Sequence, residues 1–221
     1  MVIDIEIIPD LPAALEHWCS LSGIHPGKTL KANVSSVCCV GWKVVGEKKT
    51  HCYNAWDFPE WNEDVNNDKP LLAKVMKDID FENVDAIVTH NGKRFDYKYL
   101  QTRLKKHRLD PMPKPYHIDT CSEAKKHFYL INNKLNTVGK FLLDKEKMDH
   151  EGWDLWVKTH RRVKKACRTM AEYCKKDVEL TEAVFQELRP FVRLPNYNLF
   201  TEGEQKVCSG CGSTRLKSHG W

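Results

Sequence analysis

The chain has 221 residues, 41% of them hydrophobic, enough for one buried core with a small appendage. No run of residues is apolar for long enough to form a membrane-spanning helix, and residues 1–6 lack the basic start and sustained apolar core of a secretory signal. A soluble, cytoplasmic protein is therefore expected, and its nine cysteines read as reduced thiols rather than a disulfide framework. The net charge of +5 is uneven: residues 1–97 hold 10 Lys/Arg against 15 Asp/Glu, and residues 98–221 hold 25 against 15. A basic second half suits a polyanionic partner, although solvated helix faces would give the same balance.

Val2–Ile8 mixes β-branched and acidic residues and is predicted to be a strand. Pro9, Pro12 and Pro26-Gly27 mark a loop with one short helix over 13–20. Strands are expected over 34–45 and 49–56, joined by a hairpin turn at Gly46-Glu47-Lys48, with Cys38 and Cys39 as small core residues. The stretch 54–67 sets Trp56, Phe58 and Trp61 among acidic residues and reads as loop, followed by a helix over 71–79. A short buried strand spans 85–90, Asn91-Gly92 breaks it, and a helix runs over 95–106. After three prolines comes a strand over 116–118, then a helix capped by Asp119 or Thr120. Shorter helices are expected at Leu135–Leu143 and 153–157. A long one over 169–188 carries Met170, Tyr173, Asp177, Leu180, Val184 and Leu188 near one stripe. The pattern predicts one α/β domain over 1–195 with a mixed sheet, a linker over 196–206 and a tail over 207–221.

Three segments carry groups suited to chemistry. In Asp4-Ile5-Glu6, residues two apart on a strand face the same side, so two carboxylates project together. A buried strand needs a cation to compensate such a pair, whereas a sheet-edge strand would simply leave it solvated. In Asn91-Gly92-Lys93-Arg94-Phe95-Asp96, the aspartate opens a helix, where the helix dipole favours an anion. In Tyr173-Cys174-Lys175-Lys176-Asp177, tyrosine and aspartate lie four apart on one helix face. Each segment alone has an ordinary structural explanation. In this order they supply four carboxylates on rigid elements, as a pair of divalent cations requires, and hard oxygen ligands suit Mg²⁺ or Mn²⁺.

The combination Asp-x-Glu (Asp4, Glu6), Asn-x-x-x-Phe-Asp (Asn91, Phe95, Asp96) and Tyr-x-x-x-Asp (Tyr173, Asp177) resembles the motif set of the DEDD superfamily of 3′–5′ exonucleases. Position 172 is Glu rather than His, which points to the tyrosine (DEDDy) subclass. That subclass includes polymerase proofreading domains and phage-type exonucleases, which the segment 134–138 (KLNTV) also resembles. The likeness extends over about residues 2–190. It implies a ribonuclease-H-like mixed sheet flanked by helices. It also implies two Mg²⁺ or Mn²⁺ ions held by Asp4, Glu6, Asp96 and Asp177, with Tyr173 orienting the attacking water and Asn91 and Phe95 meeting the substrate. Ile7 stands where relatives often place Thr or Ser, a departure that touches substrate contact and not metal binding.

The implied reaction removes nucleoside 5′-monophosphates from single-stranded DNA, with a polymerase or replication protein as a partner for any proofreading role. The same motifs serve exoribonucleases, and a non-catalytic nucleic-acid-binding module on the same fold is the reading from another class. Basic runs at 105–108, 125–127 and 161–165 are candidates to track phosphates. Trp56, Trp61, Trp153 and Trp156 suit base stacking and core packing equally. His90, His117, His127, His150 and His160 are alternative acid–base groups that packing or surface exposure would also explain. In the tail, Cys208 and Cys211 have zinc-knuckle spacing and resemble half a zinc ribbon; with His219 they still fall short of the four ligands a structural Zn²⁺ takes.

Overall fold

The computed structural model describes residues 1–8, 35–192, 207–208 and 213–216. The helix expected over 13–20, the linker, Cys211 and His219 lie outside these residues, and so does the test of a zinc site.

Five strands form one sheet: β1 (Val2–Ile8), β2 (Ser36–Lys43), β3 (His51–Asn54), β4 (Ala86–Thr89) and β5 (Tyr116–Asp119). Their order is β3-β2-β1-β4-β5, with β1–β2 and β2–β3 antiparallel and β1–β4 and β4–β5 parallel. The strand bearing Asp4 and Glu6 is thus the central one, not an edge. Among the described residues there are seven α-helices: α1 (Pro59–Glu63), α2 (Lys69–Asp78), α3 (Asp96–Lys106), α4 (Thr120–His127), α5 (Leu135–Leu143), α6 (Trp153–His160) and α7 (Lys164–Leu188).

The two faces of β1 are covered differently. Ile3, Ile5 and Ile7 pack under α2 and α3 against Leu71, Leu72, Leu100 and Leu104. Val2 and Ile8 face the other way, toward Phe185 and Val178 at one end of α7 and Met170 and Tyr173 at the other. Period-2 alternation therefore aims Asp4 and Glu6 at α7 too. On that side, α4 and α5 buttress the C-terminal half of α7 through Ala124, Leu135 and Val138, and α6 supports its N-terminal half through Leu155.

Two expectations need correction. Residues 54–67 are not simply loop: a 3-10 turn at Ala55–Asp57 leads into α1, which Pro59 starts and the buried Trp61 anchors. The long helix begins at Lys164, not 169, because Ala166, Cys167 and Met170 bury one face of what reads in sequence as a basic run. The cap of α4 is Asp119, whose side chain accepts from the Cys121 and Ser122 amides. On the α2–α3 side, Arg103 grips the fully buried Asp68 through Nε (2.8 Å) and Nη2 (2.6 Å), joining α3 to the start of α2.

Candidate active site

The site forms where α7 rests directly on the sheet. Asp4 lies opposite Gly41 on β2, and Gly41 lies opposite Cys52 on β3. A Cβ at Gly41 would stand 2.8 Å from Cys174 Sγ and 2.9 Å from Val178 Cγ2, closer than packed atoms approach. The missing side chain lets α7 settle onto this row. Asp177 follows Cys174 by three residues, and so reaches the sheet beside Asp4 and Glu6. One oxygen from each of Asp4, Glu6 and Asp177 lies within 4.8 Å of the other two. Asp96 lies alongside at the first position of α3, with Oδ1 accepting from the Ile5 amide at 3.3 Å.

Like charges this close oppose one another. Burial, then the neighbouring carboxylates of Asp96, Asp177 and Glu6, push Asp4 well above the usual carboxylate range. Burial followed by Asp177 does the same to Glu6. Asp96 is pushed up to about 7, chiefly by burial. Asp177 is raised by burial, although Lys147 pulls it back. Asp4 Oδ2 and Asp177 Oδ1 are buried without a hydrogen-bond partner among the described residues. The cluster is acceptor-only and short of positive charge. That donor set suits a hard divalent cation.

Lys147 is the residue that sequence reasoning missed. Its ammonium pairs with Asp177 and lies 4.6 Å from the centre of the Tyr173 ring. Burial opposes its charge, but Asp177 and Tyr173 hold its pKa above the ordinary value. The lysine sits in the stretch between α5 and α6, and its amide donates to Asn136 Oδ1 at 2.7 Å. The Leu-Asn segment noted in the sequence thereby anchors the Lys147 backbone. His150 and Trp156 meet the Tyr173 ring edge-on at 4.8 and 5.9 Å and complete its packing. Burial, then the Asp177 and Glu6 carboxylates, raise the Tyr173 pKa, so its hydroxyl stays a proton donor at neutral pH.

The loop after β4 borders the cluster. Asn91 adopts a left-handed φ of 67°, a conformation asparagine tolerates better than most residues. Gly92 is required, since a Cβ there would fall 2.5 Å from Thr89 Cβ and Oγ1. Asp119, also not foreseen in this role, receives the Asn91 amide (2.9 Å) and the Lys93 amide (3.1 Å) while capping α4. Asn91 joins Asp4, Asp177, Lys147, Lys125 and Asn136 in lining an open cleft of about 500 Å³. Phe95 does not line it; the residue is 37% exposed and its ring lies 5.5 Å from that of Tyr99. His90 is a clamp: its Nδ1 meets Thr120 Oγ1 at 2.8 Å and its Nε2 meets the Asn133 carbonyl at 2.9 Å. His117 is bound to Thr89 Oγ1 at 2.8 Å. Neither needs an acid–base role to explain it.

The central acidic strand, the 3-2-1-4-5 sheet order and the helices on both faces make this a ribonuclease-H-like domain. A sequence model of the RNase_H superfamily matches residues 28–189, and the chain belongs to that superfamily. The matched region contains Asn91, Asp96, Tyr173 and Asp177 and begins after Asp4 and Glu6. Among solved structures the chain is similar to the family B DNA polymerase from the hyperthermophilic archaeon Pyrobaculum calidifontis, with a TM-score of 0.61 and 15% identity. The alignment covers 86% of this chain and 24% of the polymerase, so the chain spans about a quarter of that protein, and at this identity the likeness is one of fold. No curated protein sequence matches. None of the described helices is long and apolar enough to cross a membrane.

Proposed function

We propose that the protein is a metal-dependent 3′–5′ exonuclease that shortens single-stranded DNA and releases nucleoside 5′-monophosphates. The observation that carries this reading is the meeting of Asp4, Glu6 and Asp177 on a central strand and a packed helix, with buried oxygens left unpartnered. In an RNase_H superfamily member, such an acceptor-only cluster fits Mg²⁺ or Mn²⁺. Asp4, Glu6 and Asp177 would hold one ion, and Asp4 with Asp96 a second. When bound, the ions supply Lewis-acid chemistry: they lower the pKa of water and stabilise charge on the leaving oxygen.

The remaining work falls to the chain itself. Tyr173, packed against His150 and Trp156 and held protonated at neutral pH, donates a hydrogen bond that orients the attacking water. Lys147 places a positive charge beside Asp177 and the Tyr173 ring, where charge builds on the phosphate during attack. Asn91 and Asn136, in the cleft wall, supply hydrogen bonds to the terminal nucleotide. Phe95 offers an exposed ring beside the same loop. The fold likeness to a DNA polymerase favours DNA as the strand.

The test is to incubate 5′-labelled single-stranded DNA and RNA with the protein in Mg²⁺, Mn²⁺ or EDTA, alongside Asp4→Ala. The expected result is a ladder shortening from the 3′ end, faster on DNA, lost in EDTA and in the variant. Faster shortening of RNA would reassign the substrate. Binding of both strands without shortening in either metal would make the protein a nucleic-acid-binding module.

A further inference from the structure

A second cleft, of about 430 Å³, opens at the N-terminal end of α7. Its walls include Trp56, Trp61, Asn62, Arg162, Lys164 and Arg168, with no carboxylate among the described lining residues. The Arg162 guanidinium stands 5.8 Å from the centre of the Trp61 ring, and Trp56 meets Trp61 edge-on at 6.1 Å. Trp61 is 1% exposed, yet its indole N–H is buried with no acceptor. The 25-residue α7 starts here with Val163 at its N-cap, and no side chain caps its first turn. Two guanidinium groups, an ammonium and a helix N-terminus are all donors. An arrangement of donors beside aromatic rings suits an oxyanion joined to a planar base.

From this we infer that the cleft grips a backbone phosphate and a base of the nucleic-acid strand, away from the end being cut. The inference rests on the exonuclease reading for the identity of that strand. Arg168 is five residues from Tyr173 on α7, about 7.5 Å along the axis, and Lys164 nine residues, about 13.5 Å; turns of about 140° and 180° set both on the flank opposite Tyr173. A strand joining the two sites therefore also rounds a helix about 10–12 Å across, a path longer than about 4 nucleotides cover. Trp56 also packs against the cluster that contains Tyr173, although no residue lines both clefts. A strand filling both would be held by more than its last nucleotide, and short strands would lose this grip.

The experiment measures binding of 5′-fluorescein single-stranded DNA by anisotropy in EDTA, where no cleavage occurs. Strands of about 4 and about 12 nucleotides are compared across a salt series. The Arg162→Gln/Arg168→Gln double variant alters two exposed side chains. It should bind the longer strand roughly tenfold more weakly at low salt and flatten the salt slope by about 0.7, the value for one lost phosphate contact on a single strand. Its affinity for the shorter strand should not change, and Arg162→Lys/Arg168→Lys should keep the wild-type slope. Unchanged affinity and slope for the longer strand would overturn the inference. So would equal weakening for both lengths, or a loss confined to a free mononucleotide. Because binding is read without hydrolysis, a protein that fails to cut DNA sinks the exonuclease reading and leaves this readout intact. A protein that cuts DNA while the double variant binds normally sinks only the cleft.

Discussion

Two buried acidic centres lie on opposite faces of the sheet, and they are built in opposite ways. Asp68 has both oxygens occupied: Oδ1 meets Arg103 Nη2 and His107 Nε2 at 2.6 Å each, and Oδ2 meets Arg103 Nε and the Val37 amide at 2.8 Å each. Among the described residues, Asp4, Glu6, Asp96 and Asp177 share one lysine, and two of their oxygens have no partner. The first centre is closed and joins β2, α2 and α3. The second is open to a cleft and repels itself. An anion buried to hold a fold is matched by protein cations and donors, whereas one kept for a cation from solution is left short of them.

The sharpest break between the centres is functional. Asp177→Ala should lower the rate of 3′ shortening at least about a thousandfold, a barrier increase of roughly 4 kcal/mol, and should abolish the thermal upshift on adding Mn²⁺. Activity within tenfold of wild type would remove Asp177 from the chemistry. For Asp68→Ala the loss should be in stability: about 3–5 kcal/mol in urea unfolding, because the buried Arg103 loses its counter-ion. A loss below 1 kcal/mol would show that the pair is not holding α3 to α2 and β2.

Next in size comes the seat of α7. Gly41→Ala should cost about 1–3 kcal/mol by overpacking and slow hydrolysis by lifting Asp177 from Asp4. Adding Cys174→Ala removes the nearer clash and should recover part of both losses; no recovery in a double-mutant cycle would place the strain elsewhere. The smallest effects should differ in sign. In EDTA at neutral pH, Asp4→Asn should raise stability by about 1 kcal/mol, since it relieves burial and repulsion of a carboxylate. Lys147→Met should lower stability by about 1–2 kcal/mol, since it removes the cation paired with Asp177. Equal signs by calorimetry would mean that the open cluster is not electrostatically strained.

Much of this site was legible within single elements. The two-residue spacing of Asp4 and Glu6 and the four-residue spacing of Tyr173 and Asp177 follow from strand and helix periodicity, and Leu135–Leu143 appears over the span its pattern predicts. The start of α7 was hidden because Arg161–Lys165 reads as a charge run, and α1 because one buried Trp61 gives no period. Lys147, Asp119 and Asn136 were not legible as a set. Each acts on a partner at least eleven residues away, and no local pattern marks such a pair.

By itself, then, the sequence determined which side chains share a face, which carboxylates exist to be gathered, and where most strands and helices lie. That follows from local backbone geometry, which sets side-chain direction every two residues on a strand and every turn on a helix. Only the tertiary structure decided that β1 is central, that Gly41 admits α7, and that Lys147 reaches Asp177. Those facts depend on which distant surfaces meet, and the charge and exposure of a carboxylate are set by what is packed around it.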